Sequence, residues 1–196
     1  MELERLLALE LQNKLAARDK NALIKYGAGM DEFIAEVARV KTWKAGPPVG
    51  PLGQHVRLKP EHERFRLAVE NALGRWHTLA GMAVGCFEDE KKLRAILAKY
   101  GALKSVPVRV QAREARFQPQ LEAWWSKLPK DVKAVSLYEA IEITDDQTHN
   151  ALLNTTGAEN VMMLADYAAV KKVIFAPGAP NRKAYTPDGA RGQPRI

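Results

Sequence analysis

The segment from Lys41 to Gly53, KTWKAGPPVGPLG, limits the fold more than any other part of the chain. It holds three prolines and three glycines in 13 residues, which disfavours both a helix and a regular strand. It therefore predicts a structured loop between a helical arm and a part in which strands and helices alternate. We place the helical arm and its junction at residues 1–46 and a globular domain at residues 47–196.

Apolar spacing predicts two helices within the arm. The first spans roughly the first 25 residues, and its i, i+4 stripe is Leu3, Leu7, Leu11 and Leu15. The second has an apolar face of Met30, Phe33, Ile34 and Val37. Asp31 and Glu32 lie in the first turn of this second helix, where its dipole favours negative charge.

The globular part alternates between strand and helix patterns. Predicted strands lie near Val56–Leu58, Leu79–Val84, Val106–Val110 and Val161–Leu164. Predicted helices follow Pro60 and Glu88 and cover Leu137–Ile143, Thr148–Thr156 and Ala168–Val173. Residues 112–133 are predicted to be irregular or weakly helical, with Trp124 and Trp125 held by burial. The class is α/β, or α+β with a mixed sheet.

Charge is unevenly distributed along the chain. The net charge is +7, yet no Lys or Arg occurs between Ala134 and Ala165. The acids in that stretch are Glu139, Glu142, Asp145, Asp146 and Glu159. This pattern suits a protein with an acidic surface and a basic surface that binds a polyanion. An uneven solvated surface without a role is the alternative.

Motifs for catalysis or cofactor binding are absent from the sequence. There is no P-loop and no glycine-rich dinucleotide fingerprint. The four histidines, His55, His62, His77 and His149, have no metal-ligand spacing with Cys86. Cys86 follows an apolar strand, so a packed thiol is favoured over a nucleophile with His77 as its base. We therefore predict no enzyme activity, no cofactor, no metal and no small-molecule substrate.

The single cysteine and the hydropathy pattern bear on location. One cysteine excludes an internal disulfide and suits a reducing compartment. No apolar run approaches the ~20 residues that a membrane span needs, so no membrane partner is expected. The N-terminal MELERLLALELQ mixes acids with leucines and has no cleavage site of the signal-peptide kind.

Three segments carry a resemblance to one family. They are PVGPLGQHVRLK (Pro48–Lys59) with AVENALG (Ala68–Gly74), VMMLAD (Val161–Asp166), and NRKAYTPDG (Asn181–Gly189). In this order the chain resembles the hinge domain of SMC (structural maintenance of chromosomes) proteins over roughly residues 22–189. The spellings PVGPLG and AYTPDG look most like hinges of the sixth subunit of the SMC five–six complex. After Asp188-Gly189 the family usually continues with an acidic residue and a strand, whereas here ARGQPRI follows.

The resemblance implies a fold and a role. The fold would be a two-subdomain globule, with subdomain I at about 47–133 and subdomain II at about 134–196, preceded by a coiled-coil arm. Two hinges would join at two sites into a small ring, with the fifth subunit as the expected partner. The predicted interface residues are Gly50, Leu52, Gly53, Tyr185, Thr186 and Gly189. SMC nucleotide heads lie at the far end of the arms, so the resemblance implies no ATP hydrolysis here.

The resemblance also implies DNA binding, with single strands favoured over duplex, in DNA repair on chromosomes in the nucleus. The predicted phosphate-binding residues are Arg57, Lys59, Lys91, Lys92, Arg109, Arg113, Arg116, Arg182 and Lys183. Trp43, Trp76 and Tyr185 are candidates for stacking on bases. Three alternatives stay open: another SMC hinge that only dimerises, an interaction domain without nucleic acid, and a small nucleic-acid-processing α/β enzyme.

Overall fold

The computed structural model describes residues 22–74, 78–119, 123–175 and 183–192. The helices are α1 (Met30–Arg39), α2 (Arg66–Leu73), α3 (Phe87–Leu97), α4 (Leu137–Ala140), α5 (Asp146–Thr156) and α6 (Tyr167–Ile174). The strands are β1 (Val56–Leu58), β2 (Met82–Val84), β3 (Val108–Val110), β4 (Ala134–Ser136), β5 (Ile141–Ile143), β6 (Met162–Leu164), β7 (Ala184–Tyr185) and β8 (Arg191–Gly192). The predicted mixed α/β class is confirmed.

The first core forms where α1 and α3 cover the parallel pair β2–β3. Phe33 of α1 is fully buried, and its ring meets the edge of Tyr100 with 5.7 Å between centroids. The predicted apolar face of α1 is confirmed, with Met30, Phe33 and Val37 buried. We assigned α1 to an arm, but it packs into the same core as β2 and β3. The predicted leucine stripe before it lies outside the described residues.

A second core lies beneath the antiparallel pair β1–β5. Val56 stands opposite Ile143, and Leu58 stands opposite Ile141. Helices α2, α4 and α5 supply most of the other buried side chains of this core. The predicted strand at Val56–Leu58 and the helix at Thr148–Thr156 are confirmed. The division into two subdomains stays a prediction.

A third core lies between α6 and a four-stranded sheet in the order β4-β6-β7-β8. β6 and β7 run parallel, and the other neighbours run antiparallel. Val170, Val173 and Ile174 form the buried face of α6. β8 lies in the sequence ARGQPRI, so a strand does follow the closing turn although the usual acidic residue is missing.

The predicted helix at Leu137–Ile143 is wrong in its second half. Ser136 and Glu139 form a capping box that starts α4, with Ser136 Oγ accepting the Glu139 N–H at 3.0 Å. The helix ends at Ala140 because the next three residues pair with β1. Their alternating burial, with Glu142 exposed between two buried isoleucines, follows the period of a strand.

An extended segment at residues 111–117 runs along α5 and takes its backbone partners from helix side chains. Gln147 Nε2 donates to Gln111 O at 2.6 Å. Asn150 accepts the Phe117 N–H at 2.8 Å and donates to Ala115 O at 3.1 Å. The bond to Gln111 satisfies a buried carbonyl, and the two bonds of Asn150 hold the more exposed end of the segment on the helix. The segment thereby joins the first core to the second.

A buried polar chain continues from Asn150. Its Oδ1 lies 3.1 Å from His149 Nδ1, and Tyr138 Oη lies 3.2 Å from His149 Nε2. The bonds of Asn150 to Ala115 and Phe117 fix its amide orientation, so Oδ1 accepts and Nδ1 of His149 carries the proton. Nε2 then accepts from the Tyr138 hydroxyl. This fully buried histidine has a structural role in holding α4 on α5.

No helix of the described residues is both long and apolar enough to span a bilayer.

Replacing Asn150 with alanine is expected to destabilise the fold by about 2 to 4 kcal/mol, because a fully buried amide is lost that makes two hydrogen bonds to the segment and accepts a third from His149. Urea denaturation followed by circular dichroism measures this loss. Asn154→Ala is the matched control: its amide donates to the Gln111 side chain from an exposed position, so a loss below about 1 kcal/mol is expected. Equal losses in the two variants would contradict the role given to the segment.

Candidate dimer and nucleic-acid surfaces

The opening turn lies directly against β2. Val49 and Ala83 exchange backbone hydrogen bonds of 2.9 and 2.8 Å, and Leu52 N donates to Gly81 O at 2.9 Å. Gly50 has φ +142°, and a Cβ there would stand 2.7 Å from Met82 Sδ. A glycine is therefore required at this position for the chain to approach β2.

The same turn packs against the segment before α1. A Cβ on Gly53 would stand 2.6 Å from the hydroxyl oxygen of Tyr26. Leu52 is fully buried, in contact with Ala83 and Ala151. These side chains face the interior of their own chain.

The closing turn delivers β8 to the edge of the four-stranded sheet. Thr186 N donates to Ala190 O at 3.0 Å, and Gly189 N donates to Thr186 O at 2.8 Å. The Thr186 hydroxyl, followed by the Ala190 N–H, lowers the pKa of Asp188 below its ordinary value. Asn71 Nδ2 donates to Gly189 O at 3.0 Å and so ties the turn to α2.

Several strands of the described residues pair with a neighbouring strand on one side only, and β3 and β8 are two of them. β3 pairs with β2 on one side only, and β8 pairs with β7 on one side only. A terminal strand presents backbone N–H and C=O groups that a strand of another chain can pair with. These two edges belong to different sheets, and β8 directly follows the closing turn.

Comparison with known proteins identifies the fold. No protein-family model matches the chain. A structural maintenance of chromosomes protein 6 homologue of Caenorhabditis elegans is 23% identical over 189 residues, covering 93% of this chain. The Smc5/6 hinge domain of S. pombe has a TM-score of 0.61 at 19% identity, covering 94% of this chain and 71% of that chain. The fold is that of an SMC hinge domain.

A second hinge structure agrees. The asymmetric dimer of the Geobacillus stearothermophilus SMC hinge domain has a TM-score of 0.63 at 15% identity, covering 97% of this chain and 72% of that chain. The predicted resemblance to SMC hinges is therefore confirmed at the level of the fold. The chain spans about 15% of the length of the Caenorhabditis elegans relative.

The hinge fold places the predicted interface side chains inside the chain. Leu52, Tyr185 and Thr186 are buried in their own subunit. Leu52 and Tyr185 belong to buried clusters of their own chain, and the Thr186 hydroxyl donates to Asp188. The interface at these turns stays a prediction. The groups near the turns that another chain could contact are the backbone groups of the terminal strands β3 and β8.

Several predicted DNA-binding residues of the hinge are engaged within the chain. Arg116 pairs with Asp146 at 2.8 Å and donates to Ile143 O at 2.9 Å. Arg113 donates to Pro47 O, and Lys92 donates to Thr42 O. Arg109 is partly buried, and desolvation lowers the pKa of its guanidinium. Arg113, Arg116 and Lys92 therefore hold loops within the chain, and the role of these residues in DNA binding stays a prediction.

The remaining predicted basic residues are spread over the surface. Arg57 is exposed opposite Glu142, and Lys91 and Lys183 are exposed at separate places. Lys59 lines a cleft of about 300 Å³ together with Arg116, Tyr138 and His149. Arg182 lies outside the described residues. The described residues of the predicted set belong to different elements, and their role in DNA binding stays a prediction.

Two of the aromatic residues predicted to stack on bases pack inside the chain. Trp43 packs against the first core with Lys92 5.4 Å from its ring centroid, and Tyr185 is buried. Trp76 lies outside the described residues. The exposed aromatic side chains are instead Phe87, Tyr167 and Phe175. Tyr167 and Phe175 lie beside the buried face of α6. The helical spacing of Val170, Val173 and Ile174 in the sequence could have predicted that these two rings face outward.

The predicted DNA-binding residues also omit most of a group of exposed lysines on and near α6. The exposed lysines there are Lys127, Lys130, Lys133, Lys171, Lys172 and Lys183. Only Lys183 was predicted. The spacing of three residues through KLPKDVK was the available signal, and the irregular character of residues 112–133 concealed it.

The predicted inert character of Cys86 agrees with its surroundings. Its Sγ lies 3.3 Å from Asp89 Oδ2. The Asp89 backbone N–H lowers the pKa of the thiol, but burial and the neighbouring carboxylates outweigh it and leave the pKa raised. His77 lies outside the described residues. Within the described ranges, no group of three His, Cys, Asp or Glu residues could hold a metal ion.

Asp89 clamps the loop before the opening turn onto α3. Its carboxylate accepts the backbone N–H groups of Lys44 and Ala45, each at 2.8 Å. Burial alone would raise the pKa of Asp89, but these two donors outweigh it and the pKa is lowered. The neighbouring Glu88 pairs with Lys44 at 2.6 Å on the surface, and the pKa of Glu88 falls to about 2.

Asp89→Asn is expected to lower the free energy of unfolding by about 2 kcal/mol at neutral pH, because charged hydrogen bonds are lost. The folded pKa lies below the unfolded value of about 3.9, so the contribution of Asp89 is present above that value and disappears as pH falls through the folded pKa. Urea titrations between neutral and acidic pH measure the convergence of the two proteins. The surface control, Glu88→Gln, should leave the free energy of unfolding almost unchanged, because solvent screens its exposed ion pair with Lys44. A difference between Asp89→Asn and the unmodified chain that is constant at all pH values would contradict the clamp.

Proposed function

We propose that this chain is the hinge of an SMC protein, a module that joins two SMC subunits and binds DNA without catalysis. The observation that carries the proposal is the hinge fold over almost the whole chain, with β3 and β8 each terminal in a different sheet. The expected partner is the hinge of the fifth subunit of the SMC five–six complex, because the sequence is most like hinges of the sixth. The place of action is then the chromosome in the nucleus.

Terminal strands on two different sheets suit a closed ring. If β3 of one hinge pairs with β8 of its partner, a twofold axis places β8 of the first beside β3 of the second. Both contacts then form together. Strand pairing of this kind takes its affinity from main-chain hydrogen bonds.

The backbone of β3 is oriented for such a contact. Met82 N donates to Pro107 O, and Gln111 N donates to Val84 O, both in the parallel ladder with β2. In a parallel pair, alternate residues direct their backbone groups to opposite sides. The N–H groups of Val108 and Val110 therefore point away from β2 and toward a partner strand.

Replacing Val110 with proline is expected to weaken dimerisation at least about tenfold, because the outward N–H of the edge is removed. The ladder with β2 keeps the Gln111 N–H at this end. Light scattering of the chain mixed with a fifth-subunit hinge measures the assembly. Val110→Ala keeps the N–H and serves as the matched control, and circular dichroism confirms folding. A Val110→Pro chain that still forms dimers like the control would contradict pairing through β3.

DNA binding is supported by the basic excess and by its exposure. Lys91, Lys183 and Arg57 are exposed, and the chain carries a net charge of +7. Lysine and arginine bind phosphates without reading bases, so the binding is independent of sequence. Displaced counterions make this mode of binding sensitive to salt.

The logarithm of the binding constant for a single-stranded oligonucleotide is expected to fall linearly with the logarithm of the salt concentration. Each phosphate contact adds roughly 0.7 to the steepness of that slope. Lys183→Ala should reduce that slope by about 0.7. Lys99→Ala is the control, because Lys99 pairs with Glu36 at 2.5 Å and its removal should leave the slope unchanged. Fluorescence anisotropy across a salt series measures both. An affinity that is equal at low and high salt would refute the electrostatic mode.

A further inference from the structure

A basic surface surrounds α6. Segments 125–135, 162–175 and 183–185 pack around the third core, and their exposed basic residues are Lys127, Lys130, Lys133, Lys171, Lys172 and Lys183. The same segments contain two acidic residues, Asp131 and Asp166. No other acid lies in these three segments, so the surface attracts anions.

Both acidic residues already have partners. Asp131 pairs with Lys172 at 2.6 Å, which lowers the pKa of Asp131 and raises that of Lys172. Asp166 caps α6 by accepting the Ala169 N–H at 2.8 Å. The other five lysines are therefore not neutralised by these two carboxylates.

Two aromatic rings lie on this surface in line with a lysine. Tyr167, Lys171 and Phe175 are four residues apart, so they form one stripe along the outer side of α6. Tyr167 is 51% exposed and Phe175 is 46% exposed. Their ring centroids are 6.4 Å apart, and Lys171 Nζ lies 5.4 Å from the Tyr167 ring centroid.

The stripe does not serve the core of the protein. Val170, Val173 and Ile174 fill the inner face of α6, and all three are buried. Leaving two large rings in water costs hydrophobic free energy that a ligand can recover. An apolar protein partner would be a poor match, because Lys171 lies 5.4 Å from the Tyr167 ring centroid and five more exposed lysines belong to the segments around the same core.

We propose that the outer face of α6 is the single-strand binding site of this hinge, with the rings stacking on unpaired bases and the lysines binding the phosphates. Every base has a π face, so stacking needs no particular sequence. In a duplex these faces are covered by neighbouring bases, so the site selects single strands. The inference rests on the proposed DNA binding and assigns it a place.

The test compares two strands of equal length, an oligodeoxythymidine and an abasic strand that has the same phosphates without bases. Tyr167→Leu combined with Phe175→Leu keeps apolar side chains but removes both rings. This variant is expected to bind the thymidine strand at least about tenfold more weakly, since each stacked base contributes about 1 to 3 kcal/mol. Its affinity for the abasic strand should equal that of the unmodified chain. Fluorescence anisotropy gives both values.

Two controls match the changes. Phe87→Leu removes an exposed ring from α3, at 69% exposure, and should leave both affinities unchanged. Lys171→Ala should weaken binding to both strands more than Lys172→Ala, because Lys172 is already paired with Asp131. Thermal melts show whether each variant keeps its fold.

The possible outcomes distinguish an error in the proposed DNA binding from an error in placing the site on α6. An unmodified chain that binds neither strand would overturn DNA binding itself. If it binds the thymidine strand and the double variant binds equally well, the site on α6 is wrong while DNA binding stands. Equal losses on thymidine and abasic strands, or an equal loss in Phe87→Leu, would also overturn stacking at this place.

Discussion

The hydrogen bonds between α5 and the extended segment at 111–117 are the interaction on which the rest of the arrangement depends. After β3 the chain is held against Gln147 and Asn150 and does not turn back to pair with β3. The same bonds join the first core to the second. One set of side-chain amides therefore holds the two cores together and keeps the chain after β3 from pairing with that strand.

The proposed function distributes its two tasks over different surfaces. Association uses main-chain groups at the edges of β3 and β8, which are set by topology and not by exposed apolar side chains. DNA binding uses long, charged side chains and two rings around α6. Because the tasks involve different chemistry, changes of salt should act on the second far more than on the first.

The sequence predicted secondary structure best where contacts between residues close in the chain determine it. The faces of α1 and α3 follow from the spacing of apolar residues, and β1 follows from alternation. Leu137–Ile143 was misread because the pairing of β5 with β1 is a distant contact that overrides helical spacing. Arg113 and Arg116 were taken for phosphate ligands because their loop and helix partners are distant in sequence. The glycines of the two turns were taken for interface positions, although close internal packing asks for the same residue.

The contact between α6 and β8 has a mechanical consequence. Gly192 lies so close to Val170 that any side chain at that position would collide with the helix. The strand and the helix are therefore in direct contact, and a residue larger than glycine at position 192 would push β8 away from the buried face of α6. Because Tyr167 and Lys171 lie on the other face of the same helix, such a change would also displace the proposed single-strand site.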